Sequence, residues 1–345
     1  MWVRKLAFPC ACILTLLLTV WSSAALYFDL PVQWLRAPAS LLYLVLVTLA
    51  MFFFRRRHRG LMLAVAGFFV VALWWFSLTP SNDRDWRSDD VATAYAEIAA
   101  DQITIHNVRN CDYRSETDYT CAWETRSYDL SKLRGIDIFI TWWGSPWIAH
   151  PIASYDFGAQ GHVAISIETR HAVGEEYSSV RGFFRQYMLI YTVSDERDVI
   201  RLRTNYRKGE EVYLFHTTVN PAMARHIFTD YLRRVNSLHL HPEWYNALTN
   251  NCTTNIAVSA AEAQQRPVRF DWRVLLNGKM DEMMYEHGTL MTGGLLFPAL
   301  KEQAHVNDAA KTAGGASEFS KLIREGKVGF AENASMSLSA PAHVR

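Results

Sequence analysis

The chain opens with three apolar stretches, residues 6–27, 37–54 and 60–78. Each is close to the roughly 20 residues a helix needs to cross a bilayer core, and none is broken by a run of charge. After Thr79 the pattern changes to short alternating runs. Residues 136–143 read as a strand, Gly144-Ser145-Pro146 interrupts it, and residues 150–157 form a second extended stretch. Residues 158–161 then turn into residues 162–168, where Val163, Ile165 and Ile167 alternate with His162, Ala164, Ser166 and Glu168. His150 and His162 therefore fall on one hairpin. Residues 187–193 and 212–216 predict further strands, with the charged residues 194–198 as the turn between them. Asn220-Pro221 is a side-chain cap followed by a proline at the first helical position, and it starts an amphipathic helix that runs to about residue 236. A second helix is predicted over 252–263 and a short one over 90–101, near the membrane. Residues 331–345 are small and polar and are expected to be disordered. The result is an α+β chain: a membrane region over 1–79, a folded domain over 80–330 and a tail.

Charge decides on which side of the membrane the domain lies. Arg4 and Lys5 precede the first stretch, and Arg55, Arg56, Arg57, His58 and Arg59 separate the second from the third. Residues 28–36 carry only Asp29 and Arg36. By the positive-inside rule the N-terminus and the basic loop are cytoplasmic, so everything after about Thr79 is outside the cytoplasmic membrane. Ser22-Ser23-Ala24-Ala25 would suit cleavage of the first stretch as a signal peptide, and the domain would still be exported. The expected location is a multi-pass bacterial inner membrane protein with a periplasmic domain. A net charge of +1 and 13% aromatic residues argue against a nucleic-acid partner and against disorder.

The exported location gives the five cysteines different meanings. Cys10 and Cys12 lie in the first apolar stretch. Cys111 and Cys121 are close enough in an oxidising compartment to close a disulfide, which leaves Cys252 as the odd thiol. Cys252 sits at a predicted helix start, where the macrodipole favours the thiolate and so lowers the pKa. The competing reading is a small buried hydrophobe. A nucleophilic thiol needs a histidine near it in space, and His150 and His162 compete for that role. His216, His239, His241 and Glu243 have only a weak metal-ligand spacing, so no metal or cofactor is expected.

Four segments together resemble the Lnb N-terminal periplasmic domain family: residues 149–157 (Ala149-His150 to Phe157), 164–170, 195–198 and the Asn250-Asn251-Cys252-Thr253-Thr254-Asn255 motif. The resemblance spans about residues 135–275. It implies a permuted papain-like fold, an antiparallel sheet packed on helices, related in logic to lecithin:retinol acyltransferases and NlpC-type enzymes. It places the nucleophile on Cys252 and the family histidine on His150; His162 falls on no motif of the family, although lecithin:retinol-type enzymes carry a second histidine on the neighbouring strand and the separation here suits a hairpin. Pro151 departs from the pattern and puts the local strand pairing in question. Ser166, Glu168 and Arg170 share a face with His162. Glu168 is expected to orient His150 or receive an amine, and Arg170 to hold Glu168 or bind a lipid phosphate. The solvated surface ion pair is the alternative. Asn251 and Ser154 complete the expected substrate contacts. The implied activity is transfer of an acyl chain from a phospholipid, through a Cys252 thioester, to an amine such as a lipoprotein N-terminus. A periplasmic cysteine hydrolase acting on a peptide or amide is the alternative, and a non-enzymatic interaction domain the second.

Overall fold

The structure, a computed structural model, describes residues 2–53, 57–263, 271–274 and 276–330. The chain forms two compact units. One comprises Met1–Asp85, Thr169–Leu189 and Pro242–Asn250; the other comprises Trp86–Glu168, Ile190–His241 and Asn251–Arg345.

The first unit holds three helices, α1 (Trp2–Asp29), α2 (Gln33–Phe53) and α3 (Arg57–Ser77). The segments Phe8–Asp29, Gln33–Phe53 and His58–Ser77 are long and apolar enough to cross a membrane, in agreement with the three apolar stretches. Their outward faces carry Leu14, Leu46 and Phe69, as expected of helices whose solvent is hydrocarbon. Some polar groups pair between helices: the Ser23 and Ser40 hydroxyls lie 2.7 Å apart, and Trp75 Nε1 donates to Asp29 Oδ2 at 2.6 Å. Such pairing is what a medium without water demands. Arg55 and Arg56 of the basic loop lie outside the described residues, as does the predicted disordered tail.

The second unit is built on an eight-stranded sheet: β1 (Tyr95–Ala99), β2 (Gln102–Tyr113), β3 (Tyr119–Asp129), β4 (Gly135–Trp143), β5 (Ala149–Asp156), β6 (His162–Arg170), β7 (Met188–Ser194) and β8 (Glu210–His216). The order is β1-β2-β7-β6-β5-β4-β8, with β3 also on β2. The sheet is mixed, because β2 meets β7 in parallel at Arg109↔Ser194. The predicted hairpin forms as β5–β6, turned by Gly158 and Gly161 at φ of 61° and 87°, a region open to glycine at no steric cost. Pro151 sits in the ladder to β4 opposite Ile140, whereas the ladder to β6 begins only at Ile152↔Ser166. Cys111 and Cys121 face each other across β2 and β3 and are joined by a disulfide.

One sheet face buries Phe139, Ile152, Ala164, Val212 and Leu214 beneath α4 (Glu196–Arg201) and beneath residues of the two last helices described below. On the opposite face Tyr155 packs against Phe228 at 4.6 Å, from α5 (Pro221–Leu240). Each such side chain taken from water contributes about 1.5–3 kcal/mol. Asn220 caps α5 as expected, its side-chain oxygen accepting from the Met223 N–H at 2.9 Å. The helix α6 (Cys252–Ala263) matches its predicted bounds, and α7 (Met280–Glu286), α8 (Phe297–Ala304), α9 (Asn307–Ala313) and α10 (Phe319–Leu322) follow.

Two sequence expectations are overturned. Residues 90–101 are not a helix; they lead into β1, where Asn236 of α5 clamps the Ala96 backbone, accepting from its N–H at 2.6 Å and donating to its carbonyl at 2.8 Å. Tertiary hydrogen bonding outweighs the helix preference of an alanine-rich run. Residues 194–198 are not a turn between strands either. Glu196 and Asp198 start α4 and are buried, each held by an arginine, so their charge marks a buried network.

Candidate active site

Cys252 is the first residue of α6, and its motif builds the helix start. The Asn251 side chain accepts from the Thr254 N–H at 2.9 Å, while Thr254 Oγ1 accepts from the Asn251 N–H at 3.0 Å. This is a reciprocal cap. Asn251, expected to contact substrate, thus has its side chain committed to the helix. Burial pushes the Cys252 thiol up to about 11; the Thr253 hydroxyl and the N–H groups of Thr253 and Cys252 pull it down without reversing the shift. The expected lowering by the helix dipole is therefore outweighed by desolvation. Desolvation thus favours the neutral thiol at this position.

His150 lies near the start of β5, and its ring is tied to the neighbouring strand. The His150 Nε2 is 2.8 Å from Ser166 Oγ, and Ser166 Oγ donates to Glu168 Oε1 at 2.6 Å. The hydroxyl has one proton and it goes to the carboxylate, so His150 Nε2 must be the donor to Ser166. That fixes the tautomer and leaves Nδ1 as the basic nitrogen. Burial lowers the His150 pKa to about 3, and the Arg203 charge acts in the same direction. The imidazole is neutral at any physiological pH.

Glu168 shows how a carboxylate stays charged there. Burial works against its charge, yet Arg203 and then His150 hold its pKa below the ordinary carboxylate range. Arg203 Nη2 lies 3.1 Å from Glu168 Oε1, and Arg203 Nη1 lies 3.2 Å from Glu210 Oε2. The guanidinium on Glu168 thus comes from Arg203, which sequence reasoning missed, in the role expected of Arg170. Arg170 is in the first unit, where it donates to Asn82 Oδ1 at 2.8 Å. The solvated ion-pair alternative for Glu168 and Arg170 does not hold.

Asn277 connects the two halves and was also missed. Its Oδ1 accepts from the N–H of Ala149, the residue before His150, at 2.8 Å. Its Nδ2 donates to Thr253 Oγ1, next to Cys252, at 2.7 Å and lies 3.9 Å from Cys252 Sγ. One amide therefore joins the histidine strand to the cysteine helix. The signal for it in the sequence is Gly278. A Cβ on Gly278 would lie 2.2 Å from the Pro146 carbonyl oxygen, so only glycine lets this turn lie against the chain entering β5.

The other predicted residues gather elsewhere. Ser154 donates to Glu196 Oε1 at 2.5 Å, and Arg324 spans Glu196 Oε1 at 2.5 Å and Asp137 Oδ2 at 2.6 Å. His162 belongs to this second cluster: its ligand-type nitrogen, with one oxygen each from Asp137 and Glu196, falls in a set within 4.8 Å of one another. Arg324 already supplies the cation that such a set would take. Ser154 and His162 are thus placed in a buried ion-pair network. His216, weighed as a metal ligand, binds Asp137 Oδ1 through Nδ1 at 2.6 Å.

Residues 119–278 match the family model described as the Lnb N-terminal periplasmic domain. The match runs from β3 to the turn that holds Asn277 and contains Cys252, His150, Ser166, Glu168 and Arg203. No curated protein and no solved structure matches the chain.

Proposed function

Starting from a membrane-associated chain that carries a Lnb N-terminal periplasmic domain, we propose a cysteine acyltransferase that crosses the inner membrane three times, with its N-terminus in the cytoplasm. The donor is a membrane phospholipid and the acceptor an amine, such as the N-terminus of a lipoprotein. The observation that carries this reading is the Asn277 bridge, which couples the helix start bearing Cys252 to the strand bearing a histidine of fixed tautomer.

The two groups start uncharged, so the chemistry is general-base rather than that of a preformed ion pair. His150 Nδ1 takes the thiol proton as Sγ attacks the ester carbonyl. The N–H groups of Cys252 and Thr253 face the developing oxyanion. Collapse of the intermediate breaks the ester C–O bond, and the imidazolium returns its proton to the departing lysophospholipid alkoxide. An amine then attacks the thioester, loses its proton to His150 and releases the thiol as the amide forms. The Ser166–Glu168–Arg203 chain holds the ring throughout. Anchoring in the bilayer keeps the domain beside a lipid donor and a lipid-held acceptor, which raises their effective concentration.

The test is intact-mass analysis of protein purified with membrane lipid. An acyl adduct that neutral hydroxylamine removes, and that Cys252→Ser lacks, is the expected result. No adduct on the wild type after incubation with phospholipid would sink the proposal. An adduct that decays in water as fast as with added amine would move the protein to the hydrolases.

A further inference from the structure

The first unit exposes an apolar patch that lies outside the three apolar helices. The stretch Thr169–Leu189 is fastened to the ends of α1 and α3. Gln186 Nε2 donates to the Phe28 carbonyl at 2.8 Å and to Asp29 Oδ1 at 2.6 Å. Arg185 donates to the Leu78 carbonyl and lies over the Trp75 ring at 4.3 Å. Phe184 stacks on Phe28 with 4.9 Å between ring centres. In the three-span topology proposed above, these helix ends lie at the outer interface of the bilayer. Residues 184–186 therefore sit at headgroup depth.

Just before them the chain makes a helical turn, with the Gly182 N–H on the Ser178 carbonyl and the Phe184 N–H on that of Arg181, both at 3.0 Å. Residues three apart in such a turn share a face. Val180 and Phe183 are 56% and 40% exposed, while the adjacent Phe184 is 7% exposed against Phe28. Leu248, 54% exposed, lies beside the same turn, because the neighbouring Ala247 N–H donates to the Gly182 carbonyl at 2.8 Å. The loop is built to hold this shape: the Tyr187 hydroxyl accepts from the Ser178 N–H at 2.9 Å and donates to the Glu176 carbonyl at 2.7 Å. Arg84 and Glu175 pair at 2.5 Å at its base.

A fixed apolar triad left in water costs free energy, and apolar groups at this depth find hydrocarbon within a few ångströms. We propose that Val180, Phe183 and Leu248 form an interfacial anchor that dips into the outer leaflet at the boundary between headgroups and acyl chains. The contact is continuous with the apolar surface of the spans, and its partner is the bilayer itself.

The test uses spin labels in liposomes of phosphatidylethanolamine and phosphatidylglycerol. Full-length protein with Cys10, Cys12 and Cys252 replaced by alanine is labelled singly at Val180→Cys, Phe183→Cys or Leu248→Cys. Leu46→Cys in α2 and Asp308→Cys in α9 are the controls. Collision with oxygen reports hydrocarbon, and collision with a water-soluble nickel chelate reports solvent. The expected result is a reversal from the nickel preference of the Asp308 label to an oxygen preference, as for the Leu46 label, at all three anchor positions. A nickel preference at the three positions overturns the anchor, and so does shielding from both reagents, the mark of a protein partner or a second copy. If the Leu46 label itself prefers nickel, the three-span topology fails instead, and the two failures are told apart.

Discussion

The same sheet face carries two buried polar clusters with opposite characters. Around Asp137, Ser154, His162, Glu196 and Arg324 the charges close on themselves: the guanidinium bridges both carboxylates, and burial of Glu196 is offset by Arg324 and His162, which hold its pKa at about 2. Around His150 the chain Arg203–Glu168–Ser166 ends on one imidazole nitrogen and leaves the other basic. Ile152, between His150 and Ser154 on β5, belongs to the apolar layer that keeps them apart. Burying charge for stability and burying charge to orient an imidazole thus use the same residue types. What distinguishes them is whether an acceptor is left over.

The comparison breaks most sharply at the histidines. His150→Ala should lower turnover by about 10²–10⁴-fold, the usual contribution of a general base, whereas His162→Ala should leave turnover per folded molecule close to wild type. Steady-state acyl transfer normalised to folded protein decides this; a near-normal His150→Ala would hand the role to His162. Next comes Arg324→Ala, which leaves two carboxylates facing each other in the core and should cost about 3–5 kcal/mol. Denaturation of purified protein in detergent measures that loss, and a variant as stable as wild type would show that the cluster is not a lock.

Asn277→Ala strips a partner from the Ala149 N–H and should cost about 1–3 kcal/mol, with slower acylation. Asn277→Asp keeps the acceptor for Ala149 but loses the donor to Thr253, so it should recover stability more than rate. Equal recovery of both would make the bridge merely structural. Glu168→Gln should cut turnover about tenfold, a barrier rise of about 1.4 kcal/mol, since Ser166 loses its charged acceptor. Turnover unchanged in Glu168→Gln would detach the carboxylate from the site.

A further effect is pH-dependent. The folded-state pKa of His150 is lowered to about 3, below the unfolded value of about 6.5, so the unfolded chain binds the extra proton in that window. Stability then rises with pH from about 3 to 6.5, and each unit of acidification within it costs about 1.4 kcal/mol from this residue alone. Subtracting the profile of His150→Gln from that of the wild type isolates the term. Parallel profiles between pH 6 and 5 would place the imidazole in water.

Much of this was legible from periodicity. Strands β4, β5, β6 and β8, helices α5 and α6 and the three apolar helices follow the alternation and capping signals of their own segments. The misreadings have one cause: partners far along the chain. Residues 90–101 look helical until Asn236 is placed against Ala96, and the charged residues 194–198 look like a turn until Arg109 and Arg324 arrive. The same holds for the site. Cys252 and His150 announce themselves by motif, but Arg203 and Asn277 are single polar residues whose meaning comes only from what they touch. The thiol pKa was misjudged because a helix start was visible in the sequence and its burial was not.

Arg324 also has a consequence for the order in which the molecule is made. A chain crossing the membrane from its N-terminus delivers Asp137 and Glu196 long before the residue that neutralises them, 187 and 128 positions later. Until then the two carboxylates lack the guanidinium that bridges them in the folded chain. A chain cut short before Arg324 lacks the cation that both carboxylates share.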